Sequence, residues 1–349
     1  MRVGTSQGAS DVLSIVEAAY ALEGPQQRWA QRLLEAADRS VGRGLGGFAC
    51  AFDANSPDGT VAIDRRSAAI INQSVETVHA IFDGLTQAAR GWLSAYFAGE
   101  AGAARCLITS EVDPRRKLNY RDRLAQTGVH DGINILCMDL DRRGLLLSIA
   151  IPPGPSIAPE KRMDLERAAT HIQSALRLRA RLAAASPDAP IAAGAPEAGE
   201  AVLTVQGKLL HAQGEAALAT ARRALQTAAR DITHARTALR GDAHRALGMW
   251  KGLVSAQWTL VDRFESDGER YVVARENAPQ VNGLVALTPT ERFVVAYAAR
   301  GSTTKEIAYT LGISATTVRV LLMRAARRYG VRSRKALLAL GRRALSEAD

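Results

Sequence analysis

The chain is poor in cysteine and lacks both long apolar runs and an export-type N-terminus. Its three cysteines, Cys50, Cys106 and Cys137, are widely spaced, and none belongs to a CxxC pair. An odd number of separated cysteines fits a reducing cytosol better than a disulfide framework. No apolar stretch reaches the roughly 18 residues of a membrane span. The first residues also lack the basic-then-apolar pattern of a signal peptide, so we expect a cytoplasmic protein without a membrane partner.

Recognisable catalytic and cofactor motifs are missing as well. The six histidines lie far apart without ligand spacing, which predicts no zinc site. We find no nucleophile elbow, phosphate loop or HExxH pattern. Residues 42–47 fit GxGxxG, but a helix is predicted before them and a strand after them, the reverse of the dinucleotide fingerprint. We interpret them as a turn and expect the cysteines to be buried as small hydrophobes, with redox or metal sensing as the alternative.

Positive charge is concentrated at one end of the chain. The formal net charge is +10, and residues 287–349 contain 12 Lys+Arg against 4 Asp+Glu, a net charge of +8. The preceding 286 residues carry the remaining +2. A basic end on a nearly neutral body suggests a nucleic-acid-binding module. A solvated basic tail would have the same charge.

The first half of the chain has the pattern of an α+β domain at 1–183. Apolar residues three and four apart indicate helices, and short apolar runs bounded by turn residues indicate strands. The predicted elements are helices over 11–41 broken at Gly24-Pro25, a strand at 47–52, a helix over 75–97, a β-hairpin of 133–138 and 145–151, and a long helix at 158–183. The long helix would pack on the sheet of its own domain or pair with its copy in a dimer.

A second α+β domain is predicted at 201–280. The Ala- and Pro-rich segment 184–200 cannot build a packed core and is interpreted as a linker. The elements expected after it are strands at 201–205 and 208–211, helices at 214–230 and 242–250, and strands at 254–264 and 271–274. Whether this segment folds separately from the first domain is left open.

The C-terminal segment carries clear signals for the ends of its helices. Thr288-Pro289-Thr290-Glu291 and Thr303-Thr304-Lys305-Glu306 are capping boxes, in which the threonine accepts from a free N–H and the glutamate reaches back. Gly301, Gly312 and Gly330 are placed to end successive helices. Ser314 would cap a third helix that runs to about Tyr329, and Ser333 would cap a fourth. A short helix, a glycine turn and a longer helix form the helix-turn-helix pattern.

The third helix has the two faces that DNA recognition requires. Val318, Leu321, Leu322 and Ala325 recur at helical spacing and should pack inward. Hydroxyls and arginines on the opposite side suit phosphates and base edges. The residues predicted on that side are Thr316, Thr317, Arg319, Val320, Met323, Arg324 and Arg327.

Residues 287–340 resemble the C-terminal domain of LuxR-type regulators, also called the NarL or GerE type. The matching residues are Leu287-Thr288, Glu291, Gly301, Lys305-Glu306-Ile307-Ala308, Leu311, Ile313-Ser314, Thr317-Val318-Arg319, Gly330-Val331 and Ser333-Arg334. The resemblance implies an all-α four-helix helix-turn-helix domain at 284–345 that binds double-stranded DNA, so the fold class is multidomain, with α+β sensor-like domains in front of it. This sequence has Val320-Leu321 where many members have Asn-His, so the family's base preference is not carried over.

The resemblance also implies roles for single residues. Arg319, Val320 and Met323 would face the bases. Residues nearer the DNA backbone would be Thr303, Lys305, Thr316, Thr317 and Arg327, and the contact surface would also include Thr304, Ser314 and Arg324. The fourth helix would contribute to dimerisation through Ala336, Leu337 and Leu340.

In the order of their elements, residues 1–183 resemble GAF-type sensor domains, and residues 201–280 resemble PAS-type domains more loosely. The sequence therefore predicts a homodimeric transcription regulator on a pseudo-palindromic DNA site at the nucleoid, with RNA polymerase as a further partner. A small effector would bind between sheet and helices, although a plain dimerisation scaffold explains the same pattern. An ordinary basic helical bundle, a sigma-factor-type region and an enzyme fused to a helix-turn-helix are the alternatives. We expect no enzymatic activity and no cofactor.

Overall fold

The computed structural model of the chain describes most of its residues. The described ranges are 11–54, 61–88, 104–112, 129, 131–139, 142–152, 157–185, 200–264, 269–277, 287–331 and 333–346. We refer to residues 11–277 as the body and to residues 287–346 as the C-terminal unit.

The first part of the body is a five-stranded antiparallel sheet with helices on both faces. Its elements are α1 (Leu13–Tyr20), α2 (Gln26–Ala37), a π-helical turn (Asp38–Gly42), β1 (Gly47–Asp53), β2 (Ala62–Ile71), α3 (Val75–Ala88), β3 (Ala104–Ile108), α4 (Thr109–Val112), β4 (Asp131–Met138), β5 (Arg143–Ile151) and α5 (Pro159–Ala185). The strand order is β2-β1-β5-β4-β3. Both faces of the central strands are buried, which explains why β4 and β5 are continuous apolar runs without alternation.

Two edge strands of this sheet were missed by the sequence reasoning. β2 contains Asp64, Arg65 and Arg66 in succession, all exposed. Charge on an edge strand discourages pairing with other chains, and it also removes the apolar alternation that reveals a strand. β3 is the opposite edge and pairs only with β4 in this sheet.

The long helix α5 is buried on nearly all sides within its own chain. It packs on β3, β4 and β5 on one side and on α1 and later elements of the body on the other. Its buried apolar residues belong to one core cluster, and polar side chains such as His171, Gln173 and Ser174 are at most 1% exposed. The apolar face of α5 is therefore covered by its own chain, as in the alternative in which the helix packs on the sheet of its own domain.

A second antiparallel sheet follows α5 in the chain. Its elements are β6 (Ala201–Thr204), β7 (Leu209–Ala212), a 3₁₀ turn (Gly214–Ala217), α6 (Ala219–Arg236), α7 (Ala243–Met249), β8 (Trp258–Phe264) and β9 (Arg270–Glu276). The strand order is β7-β6-β9-β8. One continuous core cluster runs from α1, α2 and the first sheet through α5 to this second sheet. The division of the body at 184–200 stays a prediction, and residues 186–199 of the expected linker lie outside the described part of the chain.

Several element boundaries differ from those expected. The strand predicted at 254–264 begins only at Trp258, because residues 254–257 form a turn in which Ser255 and Ala256 have φ angles of 52° and 62°. The helix expected over 75–97 is described as far as Ala88, and residues 89–97 lie outside the described ranges. The turn at 42–47 is preceded by a helix and followed by a strand, as predicted.

The C-terminal unit consists of helices. They are α8 (Pro289–Ala299), α9 (Thr304–Leu311), α10 (Ala315–Arg328) and α11 (Arg334–Ser346). A second core cluster lies among these helices. Within the described ranges no single helix is long and apolar enough to cross a membrane, and one bent pair, α9 with α10, meets those measures only when its two helices are counted together.

Candidate nucleic-acid interface

The first two helices of the C-terminal unit begin at the predicted capping boxes. The Thr288 Oγ1 accepts from the Glu291 N–H at 3.3 Å, and the Glu291 carboxylate accepts from the Thr288 N–H at 3.0 Å. The same reciprocal pair joins Thr303 and Glu306 at 3.2 and 2.6 Å. Each box satisfies two N–H groups that a helix start would otherwise leave unpaired. These local bonds fix where α8 and α9 begin.

A tight turn joins α9 to α10. Gly312 ends α9 with φ of 62°, a left-handed conformation that favours glycine. Ser314 then caps α10 by accepting from the Thr317 N–H at 2.9 Å. The two helices meet at an angle of 103°, within the range of a helix-turn-helix.

The second helix of this pair, α10, has one buried and one exposed face. Val318, Leu322 and Ala325 are at most 6% exposed and pack in the core of the C-terminal unit, with Leu321 half-buried beside them. The helix therefore lies with one side against α8 and α9. The opposite side faces solvent.

Nine of the eleven residues predicted to contact DNA are exposed, either on or next to α10 or at the start of α9. Those that are exposed are Thr303, Lys305, Ser314, Thr316, Thr317, Arg319, Met323, Arg324 and Arg327. Met323 is 49% exposed. Thr304 and Val320 are half-buried. We call the eleven residues predicted to contact DNA the recognition surface.

One arginine of α10 has a structural partner that the sequence reasoning missed. Arg328 Nη1 lies 2.9 Å from a Glu291 carboxylate oxygen, and the Glu291 side chain is 2% exposed. The same carboxylate also accepts from the Thr288 hydroxyl at 3.0 Å. The glutamate of the first capping box thus ties the end of α10 to the start of α8. Neighbouring arginines at 327 and 328 consequently have different environments, which spacing alone does not distinguish.

The predicted dimerisation residues do not share one surface. Leu337 is 1% exposed and belongs to the core cluster of the C-terminal unit, so its place in the expected dimer contact is corrected. The helical periodicity that marked it as apolar reflects packing inside the unit. Leu340 is 36% exposed and Ala336 is half-buried. Of the three predicted dimerisation residues, Ala336 and Leu340 are thus the two that remain accessible on α11.

The C-terminal unit is joined to the body by a buried chain of hydrogen bonds. The Tyr309 hydroxyl lies 3.1 Å from the His171 Nε2 and donates to the Leu247 carbonyl at 3.0 Å. The His171 Nδ1 lies 3.0 Å from the Tyr20 hydroxyl. Burial, and then the nearby Lys251 ammonium, lower the pKa of His171 to about 3. The imidazole is therefore neutral, with one nitrogen that donates and one that accepts.

A second buried contact joins α5 to α8. The Arg177 guanidinium donates to the Tyr297 hydroxyl and lies 3.1 Å from an Asp139 carboxylate oxygen. Burial opposes the charge of Arg177, but Tyr297 and Asp139 together raise its pKa. The sequence analysis did not identify this contact. A buried tyrosine hydroxyl usually has a hydrogen-bond partner. A tyrosine on the apolar face of a predicted helix is therefore the sequence signal for a contact of this kind.

The cysteines lie in the cores of the body, as expected. Cys50, Cys106 and Cys137 are at most 2% exposed and unpaired with each other. Burial raises the pKa of all three thiols, that of Cys106 to about 12. They are thiols and not thiolates at neutral pH, which argues against the redox alternative.

Comparison with known proteins identifies the C-terminal unit. Residues 285–340 match the model of the family described as bacterial regulatory proteins, luxR family. None of the curated proteins is a significant match to the chain. A solved structure, "SdiA in complex with octanoyl-rac-glycerol", is similar over 94% of this chain and 92% of that chain, with 10% sequence identity and a TM-score of 0.34. The C-terminal unit is a luxR-family helix-turn-helix DNA-binding domain, a type that serves transcription regulation.

Proposed function

We propose that this protein is a sequence-specific transcription regulator that binds double-stranded DNA as a homodimer, with α10 as its recognition helix. The observation that carries the proposal is the recognition surface. Hydroxyls and arginines lie on the exposed side of a helix whose other side is buried, and a glycine turn sets this helix at 103° to α9. A helix held in this way fits the major groove of B-DNA.

The recognition surface divides by chemistry. Arg319, Val320 and Met323 are proposed to face bases, since an arginine reads guanine through two hydrogen bonds and an apolar side chain reads the thymine methyl group. Thr303, Lys305, Thr316, Thr317 and Arg327 are proposed to contact phosphates. Backbone contacts fix the register of the protein on the duplex but carry no sequence information.

Three further residues complete the proposed contact set. Thr304 and Ser314 lie at the starts of α9 and α10, where free N–H groups and the helix dipole attract phosphates. Arg324 is exposed on the same side of α10 and adds positive charge. The net charge of +8 in residues 287–349 supports a strong electrostatic share in binding.

Dimerisation is proposed through the exposed side of α11. Leu340 is among the few large apolar side chains that lie at least 36% exposed in the described part of the chain, and Ala336 lies one helical turn before it. A two-fold dimer binds two related half-sites about one helical turn of DNA apart. The operator is accordingly proposed to be pseudo-palindromic.

The body is proposed to be the sensor. The face of the first sheet that points away from α5 carries apolar side chains such as Phe48 and Met138 together with the buried amide of Asn134. A mostly apolar wall with a few polar groups suits a small organic effector. We further propose RNA polymerase as a partner on DNA and the nucleoid in the cytoplasm as the place of action, because the target is chromosomal DNA.

We do not propose an enzyme. Groups with strongly displaced pKa values are the usual starting point for a catalytic site. Among the described residues, the most displaced belong to buried side chains such as His171, Arg177 and the cysteines. The burial and the hydrogen bonds of these side chains explain their displaced pKa values without a catalytic site.

A binding selection tests the proposed function. The full-length protein is incubated with fragmented genomic DNA at near-physiological salt, and bound fragments are sequenced. We expect an enriched motif with two related half-sites. Uniform salt-sensitive binding without a motif would contradict sequence-specific regulation, and a motif with a single half-site would contradict the dimer.

A further inference from the structure

One short loop of the body takes part in the core of the C-terminal unit. The loop is residues 252–256, between α7 and β8, and we call it the bridging loop. Leu253 is fully buried and Ala256 is 2% exposed, and both belong to the core cluster of the C-terminal unit. Val254, which lies between them in sequence, belongs instead to a core cluster of the body. Neighbouring residues of one loop are therefore anchored in two different cores.

The bridging loop contacts the turn between α9 and α10. The Ala256 N–H donates to the Leu311 carbonyl at the end of α9, at 2.7 Å. The last carbonyl groups of a helix have no partner within it, and this bond supplies one. A Cβ at Gly312 would overlap the Leu253 carbonyl oxygen, a backbone atom that no side-chain rotation can move aside. The loop backbone thus lies directly against the glycine that ends α9.

The bridging loop has a strained backbone that is held from both sides. Ser255 and Ala256 are consecutive non-glycine residues with φ of 52° and 62°. Left-handed conformations are unfavourable for such residues and persist when the surrounding structure holds them. On the body side, the Val254 N–H donates to the Trp258 carbonyl at 2.6 Å, and on the other side Ala256 is bonded to α9. The position of the loop relative to α9 is therefore well defined.

The body also holds α9 ahead of its end. The Tyr309 hydroxyl lies 3.1 Å from the His171 Nε2 and donates to the Leu247 carbonyl at 3.0 Å. Lys305, one helical turn before Tyr309, is exposed, and so is Arg319 on α10. The contacts with the body therefore hold α9 and the turn that follows it, while these residues of the recognition surface stay in solvent.

The two kinds of DNA contact depend differently on the angle between α9 and α10. A side chain reads a base through hydrogen bonds of about 3 Å, which weaken steeply when the donor is misaligned. Attraction to phosphates is electrostatic and acts over about 10 Å at 0.1 M salt. A small change from the observed angle of 103° would therefore weaken base reading by Arg319 and leave the attraction to phosphates nearly unchanged.

We infer that Leu253 and Ala256 are positioning residues of the DNA-binding site. Through them the body supports the turn between α9 and α10 and fixes the angle at which α10 enters the major groove. The inference rests on the proposed DNA binding by α10, but it concerns a single half-site and a single copy of the chain. It implies that the C-terminal unit discriminates fully between DNA sequences only when the bridging loop of its own body is in place.

A matched pair of glycine variants tests the inference in the full-length protein. Gly312 and Gly330 follow α9 and α10 with φ of 62° and 64°, so alanine strains both backbones alike. At Gly312 the added Cβ would also push the bridging loop and the turn apart, whereas at Gly330 it has nothing within 4 Å. Gly330→Ala is therefore the control for Gly312→Ala.

A second pair of variants changes the loop and leaves the sequence of the C-terminal unit untouched. Leu253→Ala removes the side chain that the loop places in the core of that unit. Leu253→Met keeps a side chain of similar volume there and is the conservative rescue. Circular dichroism establishes that each variant is folded at the temperature of the binding measurement.

The measurement is the ratio of two affinities, obtained by fluorescence anisotropy. One duplex carries a single half-site of the selected motif, and the other is a random duplex of the same length. In Gly312→Ala and Leu253→Ala the ratio should fall by about tenfold, within the range of one base-reading contact. Affinity for the random duplex should stay within about twofold, because no charge changes. Gly330→Ala and Leu253→Met should keep the ratio of the wild type.

The outcomes separate this inference from the proposed function. A merely structural role of the loop would lower the stability of Leu253→Ala but leave the ratio of the folded protein unchanged, and that result would overturn the inference alone. Equal losses in Gly312→Ala and Gly330→Ala would overturn it too, since backbone strain would then explain both. A wild type that binds the two duplexes equally would overturn the proposed function, and the inference with it.

Hydrogen exchange provides a readout without DNA. The Ala256 amide, which donates to the Leu311 carbonyl, should exchange slowly in the wild type and in Gly330→Ala. It should exchange faster in Gly312→Ala, while amides in the middle of α5 should not change. A fast-exchanging Ala256 amide in the wild type would show that the bridging loop does not hold the end of α9, and would overturn the inference.

Discussion

The helices α5 and α10 are both rich in arginine and small apolar residues, yet they differ in where their polar groups find partners. On α5, Gln173 donates to the Met138 carbonyl at 2.6 Å, and Arg177 is shared between Asp139 and Tyr297. On α10, Arg319 and Arg327 extend into solvent from a helix whose other side is buried. Polar groups satisfied inside the chain stabilise the fold, whereas polar groups presented together on an exposed surface are available to a ligand.

The strongest test of this contrast removes a partnered arginine. Arg177→Ala would leave the Asp139 carboxylate and the Tyr297 hydroxyl without the guanidinium, so we expect a loss of about 3–5 kcal/mol in the free energy of unfolding. Chemical denaturation followed by circular dichroism measures it. Arg324→Ala on α10 is the matched control and should change the free energy of unfolding by no more than about 0.5 kcal/mol. Equal losses in the two variants would show that the contrast between the helices is wrong.

The second test uses the buried His171 of α5. Burial lowers the pKa of His171 to about 3, from the ordinary value of 6.5. Between these two pH values the imidazole is protonated in the unfolded chain and neutral in the folded chain. The stability that the folded protein has with a neutral His171 is fully present above about pH 6.5 and is lost as the pH falls towards 3. Between these limits, the stability of the wild type should fall by about 1.4 kcal/mol per pH unit more than that of His171→Gln. Parallel pH profiles of the two proteins would contradict a buried neutral imidazole.

The smallest effect is expected in the strained loop. Ser255 is half-buried with φ of 52°, so glycine fits its backbone conformation better than serine does. Relief of strain and the added freedom of the unfolded chain oppose each other, and we expect Ser255→Gly to raise the free energy of unfolding by up to about 1 kcal/mol. Thermal unfolding of the variant beside the wild type measures this. A clear destabilisation would indicate that the loop is not strained.

The C-terminal unit was largely predictable because its signals are local. The capping boxes at Thr288 and Thr303 and the glycine at 312 each act within four residues, and the structure has all three. The inward face of α10 followed from periodicity in the same way. Hydrogen bonds of this kind are determined by a few consecutive residues and do not depend on distant partners.

The parts that could not be predicted depend on distant residues. The charged edge strand β2 is a strand only because β1 pairs with it, and Arg328 is distinguished from Arg327 only by Glu291, far away in sequence. Leu337 has the periodicity of a surface contact and of a core residue alike, and the packing of α8 decides between them. Leu253 is the same kind of feature, since it belongs to the core of a unit that begins more than thirty residues later.

The central claim is that the exposed side of α10 reads DNA sequence, and one paired measurement tests it. Arg319→Ala and Arg327→Ala are compared with the wild type on the selected operator, on single-base variants of it and on random DNA, at several salt concentrations. We expect Arg319→Ala to lose about 1–3 kcal/mol of discrimination at one base position. Arg327→Ala should weaken all DNA alike and reduce the salt slope by about one unit. Equal effects of both variants on operator and random DNA would contradict the claim that this surface recognises sequence.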